Sequence, residues 1–421
     1  MMPTPHIVIV GGGAAGMFAA VNCAEMCPSC RVTVLEKGKR LLEKVKISGG
    51  GRCNVTHACF DVAELVKSYP RGQRELIAPF QHFQPRDTIA WFAQRGVRLK
   101  TEADGRMFPT TDDSQTIIDC LVGAAQRAGV ILRTQTALHA ITPPNPTNPT
   151  WQLSIGNSPA TTILNADIVL MATGSSAAAW QQIASLGHTI APPIPSLFTL
   201  HIKDPRLADL AGVSVRQVEL CLPDAKLKTQ GALLVTHWGL SGPAVLRLSA
   251  FGAEYLHQKN YTTTLIVNFL PDLSPAQLLA DLQHLRTTQP KKNVAANTYQ
   301  ALPLRLWQRI VTYCGIADST KWADLPNKTL QHLAHQLQQS SLPISGKSTF
   351  KEEFVSCGGV LLKELNFKTM ESRVIPKLFL AGEVLHIDAV TGGFNFQAAW
   401  TTAYIAAAAI QKKLNSTTAI P

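Results

Sequence analysis

The sequence has little charge and few aromatic residues, and it lacks any long uninterrupted apolar run. Of its 421 residues, 16% are charged, 7% are aromatic and 46% are hydrophobic. No stretch reaches the roughly 18 to 20 consecutive apolar residues that cross a bilayer, and no basic segment precedes the first apolar run, as a secretory signal would require. This composition predicts a compact globular protein with no membrane partner.

Cysteine is also scarce and shows no pairing pattern. The nine cysteines are scattered and odd in number, which predicts a reducing, cytoplasmic setting without a disulfide framework. Cys23, Cys27 and Cys30 do match the C-x3-C-x2-C spacing of radical SAM iron–sulfur sites. However, the first two fall on the last turns of a predicted helix and the third directly precedes a strand. We therefore expect them to fill core space, and we expect no metal site.

Acidic residues are outnumbered by basic ones. The chain has 39 Lys and Arg against 28 Asp and Glu, which gives a net charge of +11. A basic surface permits a polyanionic partner such as RNA, but does not demand one. Because no long Lys/Arg block occurs, a nucleic-acid-binding face would have to be assembled in three dimensions.

A nucleotide-binding fingerprint opens the chain. The apolar run His6 to Val10 predicts a buried strand, and the next residues, GGGAAG, match G-x-G-x-x-G in register. Gly11 allows a tight turn, Gly13 lets a pyrophosphate approach the backbone, and Gly16 lets helix and strand pack closely. The helix N-terminus would hold the phosphates. A second strand ends at Glu36, where a carboxylate binds ribose hydroxyls.

Later segments favour FAD over NAD at this fingerprint. Glu36 would repel a 2′-phosphate, which excludes NADP(H) there. Apolar strands end in ATG at residues 166–174 and in GE at residues 377–383, and the loop TGGFNFQ, preceded by Asp388, leads into a C-terminal helix. FAD is long and needs a second contact far from the first, which this return of the chain supplies.

Several motifs in combination resemble a known family. They are GGGAAGMFAA, EKGKRLLEKVKISGGGRCNVTH, GRMFPTTDDSQTIIDCL, MATGSSA, THWGLSGPAVLRLS, CGGV and LFLAGEVLHIDAVTGGFNFQAAW. The chain is similar, from about residue 6 to about residue 412, to bacterial NAD(P)/FAD-dependent oxidoreductases of the YhiN, BaiN and RdsA type. One departure is Cys357, where the family usually has Thr, so no hydroxyl is present there.

The resemblance implies FAD as cofactor and a set of cofactor contacts along the matching motifs. The backbone near Ala137 is where the family places the adenine. With the neighbouring motif residues, the expected contacts are Gly11, Gly13, Ala14, Ala15, Gly16, Glu36, Lys37, Lys46, Gly50, Gly51, Arg52, Cys53, Asn54, Ala137, Ala172, Thr173, Gly174, Gly382, Glu383, Asp388, Gly392, Gly393, Phe394 and Asn395.

The expected fold class is α/β, with a Rossmann-like, glutathione-reductase-type FAD-binding domain interrupted by an inserted domain. We predict the first part of the FAD-binding domain at residues 1–193 and the second part at residues 346–421. Short alternating strands predict a β-rich half of the insert at residues 194–272. Helical periodicity predicts a helical half at residues 273–345.

Four residues are candidates for a catalytic acid. Reduction of a conjugated C=C bond by a flavin requires a proton at the second carbon. Cys53 follows Arg52, whose guanidinium would lower the pKa of a neighbouring thiol, although glycine loops often place a small residue beside a cofactor only for packing or contact. His237 and Ser241 lie in the polar turn THWGLSGP, where a structural histidine is the common case, and His386 follows the GE loop.

Three functions remain open at this point. The first is reduction of a uridine in 23S ribosomal RNA to dihydrouridine, and the second is reduction of a small-molecule, bile-acid-like enone. Both reactions are associated with the resembled family. The third is a FAD-stabilised RNA-binding or ribosome-assembly protein without turnover. The insert has no second G-x-G-x-x-G, so we expect NAD(P)H, as electron donor, to bind only transiently.

Overall fold

The computed structural model describes residues 4–157, 160–348 and 356–418. The chain divides into two compact units, which are described separately below. The first, called here the Rossmann unit, comprises residues 1–193 and 357–421, and the second, the inserted unit, comprises residues 194–356.

The Rossmann unit is built on a central sheet of seven strands, five of them parallel. In spatial order the strands are β19 (Leu365–Asn366), β20 (Glu371–Ser372), β21 (Leu378–Leu380), β10 (Ile168–Met171), β1 (His6–Val10), β2 (Arg31–Leu35) and β6 (Ile131–Arg133). The middle strands β1 and β10 are buried along their whole length, because sheet strands covered on both faces need apolar residues throughout. Strands β19 and β20 form an antiparallel edge.

Helices surround this sheet. They are α1 (Ala14–Met26), α2 (Glu43–Ile47), α3 (Val62–Leu65), α4 (Ile77–His82), α5 (Pro85–Ala93), α6 (Gln115–Arg127), α7 (Ala177–Ser185) and α13 (Phe394–Thr418). Helix α13 packs against α1, and the two helices share an aromatic contact between Phe18 and Trp400, whose ring centroids are 5.2 Å apart. The indole N–H of Trp400 also donates to the Val55 carbonyl at 2.9 Å, which ties α13 to the segment just before β3.

Three small sheets complete this part of the chain. They are β3 (Thr56–His57) with β5 (Arg106–Pro109) and β4 (Leu99–Thr101); β7 (Ala137–Thr142) with β8 (Trp151–Asn157) and β9 (Ala160–Ala166); and β11 (Ile190–Pro195) with β18 (Ser356–Val360). The last pair joins the segment that enters the inserted unit to the segment that leaves it.

The inserted unit contains a closed six-stranded barrel. Its strands, in spatial order, are β12 (Leu200–Ile202), β15 (Gly239–Ser241), β14 (Leu227–Val235), β13 (Ser214–Leu222), β16 (Thr263–Asn268) and β17 (Ser340–Lys347). Its helices are α8 (Pro243–Phe251), α9 (Ala253–Gln258), α10 (Pro275–Thr288), α11 (Leu304–Tyr313) and α12 (Asn327–Gln338). One apolar core joins the barrel to the helices.

The predicted fold class is confirmed, while two details of the insert differ from the prediction. The expected helical half, residues 273–345, ends in the barrel strand β17, in which Ser340, Leu342 and Ile344 are buried alternately. This strand extends past the predicted boundary at 345, because it closes the barrel between β12 and β16. The expected β-rich half also includes the helices α8 and α9.

None of the helices in the described ranges is both long and apolar enough to cross a membrane.

Candidate functional site

The fingerprint glycines lie between β1 and α1, and each has its own steric reason. A Cβ at Gly16 would lie 1.8 Å from the Gly11 carbonyl oxygen, and a Cβ at Gly11 would lie 2.4 Å from the Ala172 carbonyl oxygen. These two glycines therefore let β1, β10 and α1 approach closely. Apart from its chain neighbours, a Cβ at Gly13 would meet no described residue within 4 Å. Gly13 is the N-cap of α1, so no side chain caps the first N–H groups of this helix.

Glu36 is oriented toward the fingerprint by backbone hydrogen bonds. One carboxylate oxygen accepts the Gly12 N–H at 2.8 Å, and the other accepts the Gly38 N–H at 2.7 Å. Each oxygen keeps a second lone pair for a further donor. The Glu36 carbonyl accepts the Thr136 N–H at 2.8 Å, which brings Ala137 to the same end of the sheet.

The glycine loop, residues 47–54, has a backbone that only its glycines adopt easily. Gly49, Gly50 and Gly51 all have positive φ, at 56°, 68° and 84°. A Cβ at Gly49 would lie 3.1 Å from the Phe108 ring, whereas Cβ atoms at Gly50 and Gly51 would meet nothing within 4 Å. The loop thus rests on Phe108 and presents two bare glycines outward.

Arg52 contacts protein carboxylates, which the sequence did not predict. Its guanidinium donates to Glu102 at 2.6 Å, lies 3.5 Å from Asp112, and covers the Phe108 ring at 4.0 Å from the centroid. Arg52 is one of the expected FAD contacts, and within the chain it links the glycine loop to the sheet β3–β5–β4.

The Cys53 thiol is fully buried and its pKa is shifted in the direction opposite to expectation. Burial raises the pKa of Cys53 to about 12, and a side-chain hydrogen bond with Ser48 only partly offsets this. The expected lowering by Arg52 does not occur, because burial of the thiol dominates its pKa. Cys53 is therefore a neutral thiol at physiological pH. Its φ of 59° shows that it too is part of the left-handed loop.

Asn54 connects the glycine loop to the C-terminal loop. In the amide orientation that satisfies its neighbours, its nitrogen donates to the carbonyls of Thr56 and Met107, and its oxygen accepts the Gly393 N–H at 3.0 Å. A Cβ at Gly393 would lie 2.5 Å from the Thr56 carbonyl oxygen, so glycine is required for this approach. The two glycine-rich segments thus meet at one place.

The C-terminal loop is braced by Asp388 and Asn395. The buried Asp388 carboxylate forms an ion pair with Arg71. The Asn395 side chain accepts the Ala389 N–H at 2.9 Å and donates to the Ala389 carbonyl at 3.2 Å. Both were expected to contact FAD, and both have structural partners within the chain.

A third part of the site lies where β10 and β21 end. Gly382 has a φ of 75°, and a Cβ there would lie 2.8 Å from the Ala15 Cβ on α1. Lys44 pairs with Glu383 at 3.0 Å. The Thr173 hydroxyl is buried and has no hydrogen-bond partner among the described residues. Such a group requires a partner, and a bound ligand can supply it.

Three further expected cofactor contacts are Lys37, Lys46 and Gly174. Lys37 is exposed, and Lys46 contacts Gln115 at 3.1 Å and Asp113 at 3.7 Å. Gly174 has a φ of 59°, and a Cβ there would lie 3.7 Å from the Lys44 ammonium nitrogen.

The four candidate acids lie in two different units. Cys53 and His386 belong to the Rossmann unit, while His237 and Ser241 belong to the inserted unit. His237 is exposed, and His386 is half-buried. The Ser241 hydroxyl accepts a hydrogen bond from Thr199 at 3.0 Å.

Sequence reasoning missed His57, which lies beside the C-terminal loop. Its ring stacks on Phe394 at 4.5 Å between centroids, and its Nδ1 lies 3.0 Å from the Gly392 carbonyl oxygen. Tyr69, also missed, donates its hydroxyl to the Phe394 carbonyl at 2.7 Å. His57 ends the motif SGGGRCNVTH, so its position three residues past Asn54 was the available signal.

The family model described as "HI0933-like protein Rossmann domain" matches residues 5–409. The chain belongs to the HI0933-like Rossmann family. It is therefore an FAD-dependent oxidoreductase, as its sequence motifs predicted. Three features fit a long dinucleotide cofactor: the α1 N-terminus without a side-chain cap, the open space at Gly13, and the Thr173 hydroxyl, which has no partner among the described residues.

Named relatives of this family member fall into two groups. The ribosomal RNA dihydrouridine synthase of Escherichia coli K12 is 29% identical over 95% of this chain and 96% of its own length. The 3-dehydro-bile acid delta(4,6)-reductase of Clostridium scindens is 26% identical over 97% of this chain and 99% of its own.

A solved structure supports the fold. The 3-ketosteroid-delta4-(5alpha)-dehydrogenase of Rhodococcus jostii RHA1 superposes with a TM-score of 0.52, at 14% identity, over 98% of both chains.

Proposed function

We propose that this family member reduces the C5=C6 bond of a uridine in 23S ribosomal RNA, which yields dihydrouridine. The observation that carries this proposal is the 29% identity to a ribosomal RNA dihydrouridine synthase over nearly the full length of both chains. The net charge of +11 also suits a polyanionic substrate, and such a substrate agrees with the expected cytoplasmic location.

The residues that would hold FAD are those at the end of the central sheet. The α1 N-terminus at Gly13 suits the pyrophosphate and Glu36 suits the ribose. The glycine loop and the C-terminal loop, joined by Asn54 and Gly393, suit the rest of the cofactor. When bound and reduced, FAD supplies the hydride for reduction of a conjugated C=C bond.

The chain itself must supply the proton that C5 receives. The pKa of Cys53 is raised to about 12, so its thiol releases a proton reluctantly. An imidazole ordinarily titrates near neutral pH and is better matched to this task. We therefore rank His237 and His386 above Cys53 and Ser241 as proton donors.

NAD(P)H is the proposed electron donor. The inserted unit has no second G-x-G-x-x-G fingerprint, so the nicotinamide would bind transiently and then leave. Mixing the holoprotein with NADH or NADPH and following flavin bleaching at about 450 nm identifies the donor. Absence of bleaching with both would contradict this part of the proposal.

Reduction of a bile-acid-like enone is the second candidate. It is favoured by the 26% identity to the bile acid reductase, again over nearly the full length of both chains. A binding protein without turnover has less support, because the family is one of oxidoreductases.

Both reactions can be tested in one experiment. Purified holoprotein is supplied with NAD(P)H and either 23S ribosomal RNA lacking the modification or a conjugated steroid enone, and products are analysed by mass spectrometry. The proposal predicts that uridine gains two hydrogens in the RNA and that the steroid is not turned over. Turnover of the steroid alone would replace the first candidate with the second.

A further inference from the structure

Trp238 is a large apolar side chain left in solvent on the inserted unit. It lies in the turn between β14 and β15 and is 56% exposed. Scattered small apolar residues on a surface need no explanation. A tryptophan at the tip of a turn, with an aromatic neighbour, is more informative because its flat ring is available for stacking.

The turn that carries Trp238 is held rigidly. The Thr236 hydroxyl accepts the N–H groups of Trp238 at 3.3 Å and Gly239 at 3.2 Å, and the Thr236 N–H donates to the Gly239 carbonyl at 2.8 Å. The Trp238 carbonyl in turn accepts the Ile202 N–H at 3.0 Å. The indole is therefore presented from an ordered backbone, which lowers the entropic cost of binding a ligand.

A second aromatic ring lies beside Trp238. The His201 ring on β12 is nearly parallel to the indole, with centroids 6.1 Å apart and an interplanar angle of 27°. The residues paired with His201 on both neighbouring strands are glycines, Gly239 on β15 and Gly346 on β17. No side chain rises from these two positions. We call the two rings, with these flanking glycines, the Trp238–His201 shelf.

The charge around the shelf suits a phosphate backbone. Lys203 is exposed and lies two residues beyond His201, and His237 is exposed next to Trp238. The neighbouring acid, Asp204, is neutralised by Arg206 at 2.7 Å. Single-stranded nucleic acid offers both groups that this surface suits, because a base can stack on the rings while an adjacent phosphate pairs with Lys203.

We propose that the Trp238–His201 shelf stacks an unpaired nucleobase of the RNA, with Lys203 contacting an adjacent phosphate. This inference rests on the proposed function, in that it takes RNA to be the substrate. It adds a binding site on the inserted unit, formed by Trp238, His201 and Lys203.

The test measures RNA binding by variants of the FAD-loaded protein. Fluorescence anisotropy of a labelled single-stranded RNA of about twelve nucleotides gives the Kd for the wild type, Trp238→Ala and Trp238→Phe. Leu234→Ala is the matched control, because Leu234 is 38% exposed on β14 of the same barrel. The flavin spectrum and the Tm of each variant establish that the fold and the cofactor are retained.

Loss of one base–aromatic stacking contact should weaken RNA binding by about tenfold in Trp238→Ala. Trp238→Phe should stay within about threefold of wild type because it keeps an aromatic face. Leu234→Ala should bind as the wild type does. Lys203→Ala should reduce the slope of log Kd against log salt by about one, whereas Trp238→Ala should leave that slope unchanged.

The outcomes separate the shelf from the proposed function. If Trp238→Ala binds RNA as tightly as Leu234→Ala, the shelf is refuted, while the RNA substrate stands. If the wild type binds RNA through Trp238 but forms no dihydrouridine, the shelf stands and the proposed reaction fails. If the wild type binds no RNA, or Trp238→Ala instead loses affinity for a steroid enone, both proposals are overturned.

Discussion

Gly13→Val tests whether the N-terminus of α1 is the phosphate site. Gly13 has φ −83° and ψ −167°, a conformation open to any residue, and apart from its chain neighbours a Cβ there meets none of the described residues within 4 Å. The fold should therefore tolerate valine. Loss of a glycine N-cap costs about 1 kcal/mol, which corresponds to a fall in Tm of about 2–4 °C for a unit of this size.

FAD binding by Gly13→Val should suffer far more than the fold. The valine side chain would occupy the space in front of the first N–H groups of the helix, so at least one hydrogen bond to a phosphate would be lost. A hydrogen bond to a charged group contributes about 1.5–3 kcal/mol, which is about a 10- to 150-fold loss of affinity.

The assay is titration of apoprotein with FAD, followed by quenching of flavin fluorescence, with circular dichroism and Tm as measures of folding. Gly16→Ala is the contrasting variant. Its Cβ would lie 1.8 Å from the Gly11 carbonyl oxygen, so it should damage the apoprotein itself. If Gly13→Val bound FAD within twofold of wild type, the pyrophosphate would have to lie elsewhere, and the reasoning would be refuted.

Three further predictions concern the loops around the cofactor site. If Arg52 acts through Glu102, Arg52→Gln and Glu102→Gln should weaken FAD binding by similar factors, and the double variant should weaken it no further. If Arg52 contacts FAD directly, Arg52→Gln should weaken FAD binding much more than Glu102→Gln does. The Cys53 thiol ionises from about pH 9 in the unfolded chain but stays neutral to about pH 12 in the folded protein, so the free energy of unfolding should fall as the pH rises through this range. Urea unfolding at about pH 8 and 10.5 should show a smaller fall in Cys53→Ala than in the wild type, and an equal fall in both would contradict the buried thiol. Asp388→Asn should break the ion pair between the buried Asp388 carboxylate and Arg71 and cost about 1.5–3 kcal/mol in urea unfolding, the contribution of a hydrogen bond to a charged group, and a loss below about 1 kcal/mol would contradict this role of the pair.

The sequence predicted the parts of the site that depend on local chain geometry. Gly11, Gly13 and Gly16 follow one strand at fixed spacing, and their roles depend on steric contacts within a strand–turn–helix unit. Glu36 ends the neighbouring strand and returns to the same turn. Such patterns are readable because the spacing along the chain determines the spacing in the fold.

The partners of Arg52 and Asp388 were not predictable in the same way. Glu102 lies 50 residues beyond Arg52, and Arg71 lies 317 residues before Asp388. A basic or acidic residue in a cofactor motif can contact the ligand or another side chain equally well, and only the fold decides. Burial likewise decides the direction of the Cys53 pKa, which the adjacent Arg52 had suggested wrongly.

The strand β17 illustrates the same limit for the inserted unit. Its alternating buried residues follow directly on α12, so a helical region continued without a turn signal into the last barrel strand. Closing the barrel requires pairing with β12, which is more than a hundred residues earlier in the chain. Non-local pairing of this kind leaves no mark in local periodicity.

The proposed reduction of a uridine of 23S ribosomal RNA by this FAD-dependent oxidoreductase can be tested in cells. The most direct measurement is mass spectrometry of 23S ribosomal RNA from a strain in which the gene has been deleted. The account predicts that one dihydrouridine is lost, that the wild-type gene restores it, and that the Gly13→Val gene does not. An unchanged dihydrouridine content in the deletion strain would contradict the account.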